Sequence, residues 1–232
     1  MEEEKTKKVV LCVPTTWKPY QVTLDSIEAS IPLIQEAGWD DGMVSVVGCP
    51  YISNARATML WKALHADADV IVFIDHDLSW KPEDLLTLIE TEGDVAAGTY
   101  RFKSEPEKYM GLCLPDINGI PQVRDDGAIR AHCVPAGFLK ITRDCVNRFI
   151  NHFPELCYGD KFRPKVDLFN HGAIEGVWYG EDYSFCRRWL ELGGDIALVP
   201  DLDISHWRDD TEYKGNYHTY LQKQPGGSLS ES

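Results

Sequence analysis

The chain has 232 residues, of which 44% are hydrophobic, and this is enough for one sizeable core. Its 37 acidic residues against 23 Lys and Arg give a formal net charge of −14, which argues against a long electropositive groove for nucleic acid. We expect a single domain over residues 9–222, between a flexible N-terminus at 1–8 and a disordered tail at 223–232.

The N-terminus lacks the apolar core of a signal peptide, and no run of about 18 apolar residues is present that could span a membrane. The seven cysteines are an odd number without a CxxC motif, which favours reduced thiols over disulfides. These features predict a protein of the cytoplasm, without a transmembrane segment.

Up to residue 98, short apolar runs alternate with segments typical of helices. The predicted strands are Val9–Val13, Val44–Val47 and Val70–Ile74. The predicted helices run from Tyr20 to about Ala37 with a kink at Pro32, from a cap at Ser53 or Asn54 to His65, and onward from Pro82. Such alternation predicts an α/β fold in which a mixed, mainly parallel sheet is flanked by helices.

Beyond Gly98 the pattern changes to short apolar pieces, which predict an antiparallel or mixed extension of the sheet. Asp144 is expected to cap a helix that runs through Ile150. Residues 158–179 lack clear periodicity and are expected to form a surface loop that closes over a ligand.

The strand Val70–Ile74 ends abruptly in Asp75-His76-Asp77. A charged side chain at the end of a buried strand has to be solvated by water or paired with a cation. Ligands of such sheets bind at the carboxyl ends of the strands. Residues two apart in an extended segment point the same way, so both carboxylates are expected to approach one divalent cation or its ligand. The alternative is two solvated acids that cap a strand. The chain has neither GxGxxG nor GxxxxGK[ST], so no dinucleotide fingerprint or phosphate loop is present.

Through an ordered set of motifs, the chain resembles the GT-A glycosyltransferases, in particular small family-2-like enzymes of bacteria and phages. The matching segments are Pro14-Thr15, Ser53-Asn54-Ala55-Arg56, Asp75-His76-Asp77, Val134-Pro135-Ala136-Gly137-Phe138, Gly180-Glu181-Asp182-Tyr183 and Ile204-Ser205-His206-Trp207. The resemblance implies a GT-A fold and the transfer of a sugar, a hexose above all, from a nucleotide diphosphate sugar, with UDP-sugars favoured as donors.

The resemblance also implies a metal site. Asp77 is the expected direct ligand, Asp75 contacts the donor ribose or a metal-bound water, and His206 completes the site. Oxygen ligands with one imidazole suit Mn²⁺ somewhat better than Mg²⁺. The alternative for His206 is a partly buried histidine bonded to the backbone.

The acids at 181 and 182 precede a segment with a helical apolar face. By resemblance to an inverting enzyme, Asp182 is the general base that takes the proton of the acceptor hydroxyl, and Glu181 bonds an acceptor hydroxyl. Acids at a helix N-terminus also stabilise the helix, so an ordinary cap is the alternative. Trp178 and Tyr179, next to this pair, are acceptor-site candidates.

The donor is expected to contact further residues. Arg56 suits a phosphate or a uracil carbonyl because it lies near a helix start, and we expect Arg208 and Lys214 to reach the diphosphate from the C-terminal segment. The alternative is an exposed helix arginine for Arg56 and solvated surface charges for Arg208 and Lys214. The remaining donor-site candidates are Pro14, Thr15 and His76.

Two other functions remain open. A nucleotidyltransferase uses a related sheet but carries a glycine-rich basic loop after the first strand, which Pro14-Thr15-Thr16-Trp17 is not. A non-catalytic nucleotide-sugar or carbohydrate-binding module has no need of a base. The acceptor is a glycan, a lipid-linked saccharide, a protein or a modified nucleobase of DNA.

Overall fold

A computed structural model describes residues 6–224. Within this range the helices α1 to α6 span, in order, Gln21–Glu36, Ile52–His65, Pro82–Glu90, Arg143–His152, Glu181–Glu191 and Tyr217–Gln222. The strands β1 to β15 span, in order, Lys8–Thr15, Asp40–Val47, Val70–Ile74, Leu78–Trp80, Val95–Gly98, Leu112–Cys113, Ile129–Cys133, Phe138–Thr142, Cys157–Tyr158, Lys165–Val166, Gly172–Ile174, Val177–Tyr179, Ala197–Val199, Asp203–Arg208 and Thr211–Asn216.

The central sheet has eight strands in the order β2-β1-β3-β8-β5-β13-β7-β6. Strand β1 is parallel to β2 and β3, and β5 is parallel to β13. Strand β8 lies between β3 and β5 and is antiparallel to both, so β3 and β5 run in the same direction. The carboxyl ends of β1, β3 and β5 therefore share one edge of the sheet with the N-terminal end of β8.

Apolar side chains cover both faces of this sheet. Along β1, Val9, Leu11 and Val13 join one buried cluster, whereas Val10 and Cys12 join another on the opposite face. This alternation follows from the two-residue period of a strand. Helices α1 and α3 contribute to the first cluster and α2, α4 and α5 to the second. The predicted mixed α/β sheet flanked by helices is confirmed.

A second sheet, in the order β15-β14-β4, lies at the edge where β3 ends. The chain passes from β3 into β4 through residues 75–77, so the acidic motif is the junction between the two sheets. Strand β14 pairs with β4, with His206 opposite Leu78. This pairing brings a distant part of the sequence to the motif.

Several local predictions are corrected. Helix α2 begins at Ile52 after Tyr51, which makes no side-chain cap hydrogen bond, so neither Ser53 nor Asn54 is its cap. Helix α4 is capped by Thr142, whose hydroxyl accepts a hydrogen bond from Cys145 N, and not by Asp144. Residues 158–179 are more ordered than expected, because the short hairpins β9-β10 and β11-β12 fall within or at the start of this segment.

Other local predictions are confirmed. Helix α3 begins at Pro82, and the seven cysteines, all within the described range, are free. No helix in residues 6–224 is long and apolar enough to cross a membrane. The expected flexible N-terminus and disordered tail fall largely on residues 1–5 and 225–232, which lie outside the described range, and Lys8 already belongs to β1.

Candidate active site

Asp75 and Asp77 lie in a turn and not in an extended segment, so their carboxylates have different partners. Backbone bonds hold both residues: Asp75 N donates to the Gly137 carbonyl at 2.7 Å, and Trp207 N donates to the Asp77 carbonyl at 2.8 Å. The chain changes sheets at this point, and the expectation that both carboxylates approach one cation stays a prediction.

The Asp75 carboxylate is held by two donors. The Tyr100 hydroxyl donates to Oδ2 at 3.0 Å, and Arg56 Nη2 lies 3.4 Å from Oδ1. Burial and then the nearby charge of Asp75 raise the pKa of Tyr100 well above its usual value, so this hydroxyl stays protonated and remains a donor. With 30% of its side chain exposed, Asp75 still faces solvent.

Arg56 links Asp75 to the second acidic pair. Its side chain is only 3% exposed, and Nη1 donates to Glu181 Oε1 at 2.9 Å. The guanidinium lies 5.1 Å from the centre of the Phe169 ring, and Nε has no hydrogen-bond partner among the described residues. Arg56 is thus directed at two carboxylates of the protein and lies beneath the site, not at its surface.

Asp77 contacts a lysine and a histidine. Lys103 Nζ donates to Oδ2, and His206 Nε2 lies 3.6 Å from Oδ1. Burial alone would raise the pKa of Asp77, but the neighbouring His206 ring and Lys103 ammonium lower it to about 2. The carboxylate is therefore ionised at neutral pH.

His206 has one ring nitrogen on a backbone carbonyl and the other beside Asp77. It is buried, and Nδ1 lies 2.9 Å from the carbonyl oxygen of Arg101. A carbonyl only accepts, so Nδ1 carries a proton, and in a neutral ring Nε2 then directs a lone pair towards the Asp77 carboxylate. Two acceptors face each other across 3.6 Å unless a proton or a cation lies between them.

The donor set therefore fits a divalent cation with two protein ligands. Asp77 offers a carboxylate oxygen and His206 an imidazole nitrogen whose other nitrogen is fixed by a backbone carbonyl, as is usual for ligating histidines. No group of three or more His, Cys, Asp or Glu side chains suited to a metal occurs within residues 6–224. The other ligands would come from water or from a bound diphosphate.

Glu181 and Asp182 begin helix α5, whose N-cap residue is Gly180, so no side chain caps this helix from the N-cap position. Asp182 Oδ1 accepts from Tyr183 N at 2.8 Å, and the Asp182 side chain is half-buried. Burial and then the charge of Glu181 raise the pKa of Asp182 above its usual value. A carboxylate with a raised pKa is a stronger base, which is the property required of a group that accepts a proton from a hydroxyl.

The other predicted donor residues lie at different distances from this cluster. Pro14 and Thr15 end β1, where the register of Cys12 opposite Phe73 puts Pro14 level with Asp75. Arg208 ends β14 and is exposed.

Lys214 is not directed at the cluster. It lies opposite Ser205 in the β14-β15 pair, whereas His206 is opposite Tyr213, so Lys214 is on the other face of the small sheet from His206. Its side chain is 78% exposed and pairs with Glu212 at 3.5 Å.

His76 borders a cavity beside the acidic turn. Its carbonyl accepts from Tyr20 N at 2.8 Å and from the Thr23 hydroxyl at 2.9 Å, and its ring meets the Tyr20 ring edge-on. The cavity has a volume of about 690 Å³ and is also lined by Trp17 and Trp207.

The hairpin β11-β12 leads directly into the acidic pair. Trp178 is 70% exposed and its ring centre lies 5.9 Å from that of His171, whereas Tyr179 lies against Arg187. Trp178 is thus a free aromatic surface four residues before Asp182.

Three site residues were missed from the sequence: Tyr100, Lys103 and Gly137. Tyr100 and Lys103 follow β5, and Gly137 precedes β8. The usable signal was their position, since the end of β5 and the start of the antiparallel β8 meet at the edge where β3 ends. Gly137 belongs to the segment Val134-Pro135-Ala136-Gly137-Phe138, but the motif alone gives this glycine no role.

No protein-family model matches the chain, and no curated protein matches it in sequence. Among the 22 chains of solved structures that match is the catalytic domain of Drosophila β1,4-galactosyltransferase 7, in a complex with xylobiose. The identity is 14% and the TM-score 0.46, over 97% of this chain and 76% of that chain.

Proposed function

We propose that this chain is a metal-dependent glycosyltransferase of the GT-A type that transfers a sugar from a nucleotide diphosphate sugar to an acceptor hydroxyl. The observation that carries the proposal is the connection between two acidic sites. Asp77 lies beside His206, Asp75 lies two residues away, and Arg56 joins Asp75 to Glu181 at the start of the helix that carries Asp182. One cluster thus offers groups for a donor and for an acceptor.

The donor side is formed by Asp77 and His206, with Asp75 beside them. Held by Asp77 and His206, Mn²⁺ or Mg²⁺ would stabilise the negative charge that develops on the leaving diphosphate. Asp75, fixed by Tyr100 and Arg56 yet partly exposed, is suited to accept a hydrogen bond from a ribose hydroxyl. The cavity lined by Trp17, His76 and Trp207 has a size usual for small-molecule sites and offers aromatic faces to a base such as uracil.

The acceptor side is formed by the start of α5. Asp182 takes the proton from the acceptor hydroxyl as that oxygen attacks the anomeric carbon, and a base on the side opposite the leaving group inverts the configuration. Glu181 is bound to Arg56, and its negative charge beside Asp182 helps to raise the pKa of Asp182, which strengthens Asp182 as a base. Trp178 supplies a face on which an acceptor sugar can stack.

A screen of nucleotide sugars with Mn²⁺ tests the proposal, with release of the nucleoside diphosphate as the readout. We expect release from at least one donor, UDP-sugars first, and its loss in excess EDTA. Asp77→Ala is the negative control. Stabilisation by a nucleotide and Mn²⁺ without turnover of any donor, in the presence of mixed glycan acceptors, would instead support a binding module.

A further inference from the structure

The Lys103 side chain forms an ion pair with the Asp77 carboxylate. Its ammonium donates to Oδ2, while the other oxygen faces His206. The side chains are 20% exposed for Lys103 and 13% for Asp77, so the pair is largely shielded from water. Charge-assisted hydrogen bonds of this kind are about twice as strong as neutral ones.

The lysine comes from a loop that is fixed at its base and open at its tip. Arg101 and Tyr109 form an antiparallel bridge, and Phe102 N donates to the Lys108 carbonyl at 2.9 Å. Arg101 also binds the Lys214 carbonyl and Glu105. The tip residues 104–106 are exposed, whereas Lys103 is directed inward.

The other cation that contacts the acids of the site, within residues 6–224, is Arg56, which is buried and held by Asp75 and Glu181. Lys103 has a long flexible stem and 20% of its side chain is exposed, so it is able to change partner. An ammonium and a divalent cation repel each other at one carboxylate, and a diphosphate would offer the displaced ammonium new oxygens.

We propose that Lys103 is a donor-binding residue that competes with the divalent cation for Asp77 and, once displaced, binds the diphosphate of the donor. The inference rests on the proposed function. It explains how a protein with a net charge of −14 holds an anionic donor, because the lysine neutralises Asp77 before the cation arrives and the phosphates afterwards.

The first experiment measures Mn²⁺ binding without nucleotide, by electron paramagnetic resonance of the free ion. Lys103→Met should bind Mn²⁺ about tenfold more tightly than the wild type, because the competing ammonium is gone. Lys108→Met, in the same loop but exposed, is the matched control and should not differ from the wild type. Equal Mn²⁺ affinity in the wild type and Lys103→Met, or no binding by either, overturns the proposal.

The second experiment measures UDP affinity by calorimetry at saturating Mn²⁺. Lys103→Met should weaken UDP binding about tenfold, and Lys103→Arg, which keeps the charge, should stay within about twofold of the wild type. Undiminished UDP affinity in Lys103→Met overturns the diphosphate role.

Failure of this inference can be told apart from failure of the proposed function. Both experiments read binding, whereas the proposed function is judged by whether the wild type releases nucleoside diphosphate from a nucleotide sugar. Melting curves in EDTA show whether each variant is folded.

Discussion

Gly137 and Asp75 are joined by a backbone hydrogen bond, from Asp75 N to the Gly137 carbonyl at 2.7 Å. The approach is so close that a Cβ atom at position 137 would overlap the Asp75 carboxylate and the Tyr100 hydroxyl. Glycine is therefore required here by the side chains of the site and not by a turn, and the start of β8 fixes the position of Asp75.

Gly137→Ala should displace Asp75 and Tyr100. We expect a loss of about 1–3 kcal/mol in the free energy of unfolding, as for overpacked sites. The loss in the free energy of nucleotide binding should be larger than this. Urea unfolding and calorimetry check this. Gly42→Ala is the matched control, because a Cβ there meets neighbours at the ordinary distances of 3.5 and 3.9 Å. Equal effects of the two substitutions would remove the special role of Gly137.

Arg56 supports both acids to which it is bound. Arg56→Met leaves Asp75 and Glu181 partly buried without their cation, which should cost about 1.5–3 kcal/mol of unfolding free energy. Arg187→Met breaks the solvated pair with Glu191 and should cost less than about 1 kcal/mol. Chemical denaturation compares the two variants, and a similar cost for both would contradict the buried bridge.

Asp182→Asn separates catalysis from stability. Transfer should fall about 10²–10⁴-fold, the usual cost of losing a general base, while Mn²⁺ and UDP affinities stay unchanged. The pKa of Asp182 is higher in the folded protein than in the unfolded chain. The free energy of unfolding therefore decreases as the pH rises through the interval between these two pKa values. Asparagine cannot ionise, and the melting temperature at pH 7–8 should stay the same or rise.

The pH dependence of transfer gives a second check on Asp182. Because its pKa is raised, activity should decline on acidification at a higher pH than an ordinary aspartate would give. If the Asp182→Asn variant were less stable than the wild type but transferred sugar at the wild-type rate, Asp182 would only stabilise the start of helix α5.

His206→Ala should change the preference among metals. One imidazole among oxygen ligands favours Mn²⁺ over Mg²⁺, so its loss should weaken Mn²⁺ binding more than Mg²⁺ binding. Residual activity at high metal concentration is expected because Asp77 remains. Metal titrations of nucleotide binding measure both affinities. Identical Mn²⁺ and Mg²⁺ curves before and after the substitution would leave His206 as a buried, backbone-bonded side chain.

The sequence predicted the elements better than their ends. Strand β3 and helix α3 were predictable because a short buried apolar run and a proline followed by acids have local causes. The caps of α2 and α4 were not, since several polar residues near each start compete and packing selects among them.

The acidic residues of the site could be predicted from the sequence, but the side chains that contact them could not. Asp75 and Asp77 are conspicuous because they end an apolar strand, but the turn that gives them different partners depends on the second sheet. Arg56 was expected to face the ligand, and only the tertiary structure shows it buried between two carboxylates. Lys103 is 26 residues from Asp77 in sequence, so no local pattern joins them.

In the proposed function, a divalent cation at Asp77 holds the donor. Calorimetric titration of UDP into wild type and Asp77→Ala, each with Mn²⁺ and with EDTA, tests it most directly. We predict that the wild type binds UDP strongly only with Mn²⁺ and that Asp77→Ala, although folded by circular dichroism, gains nothing from the metal. UDP affinity that is the same in EDTA as in Mn²⁺, or undiminished in Asp77→Ala, would contradict the metal site.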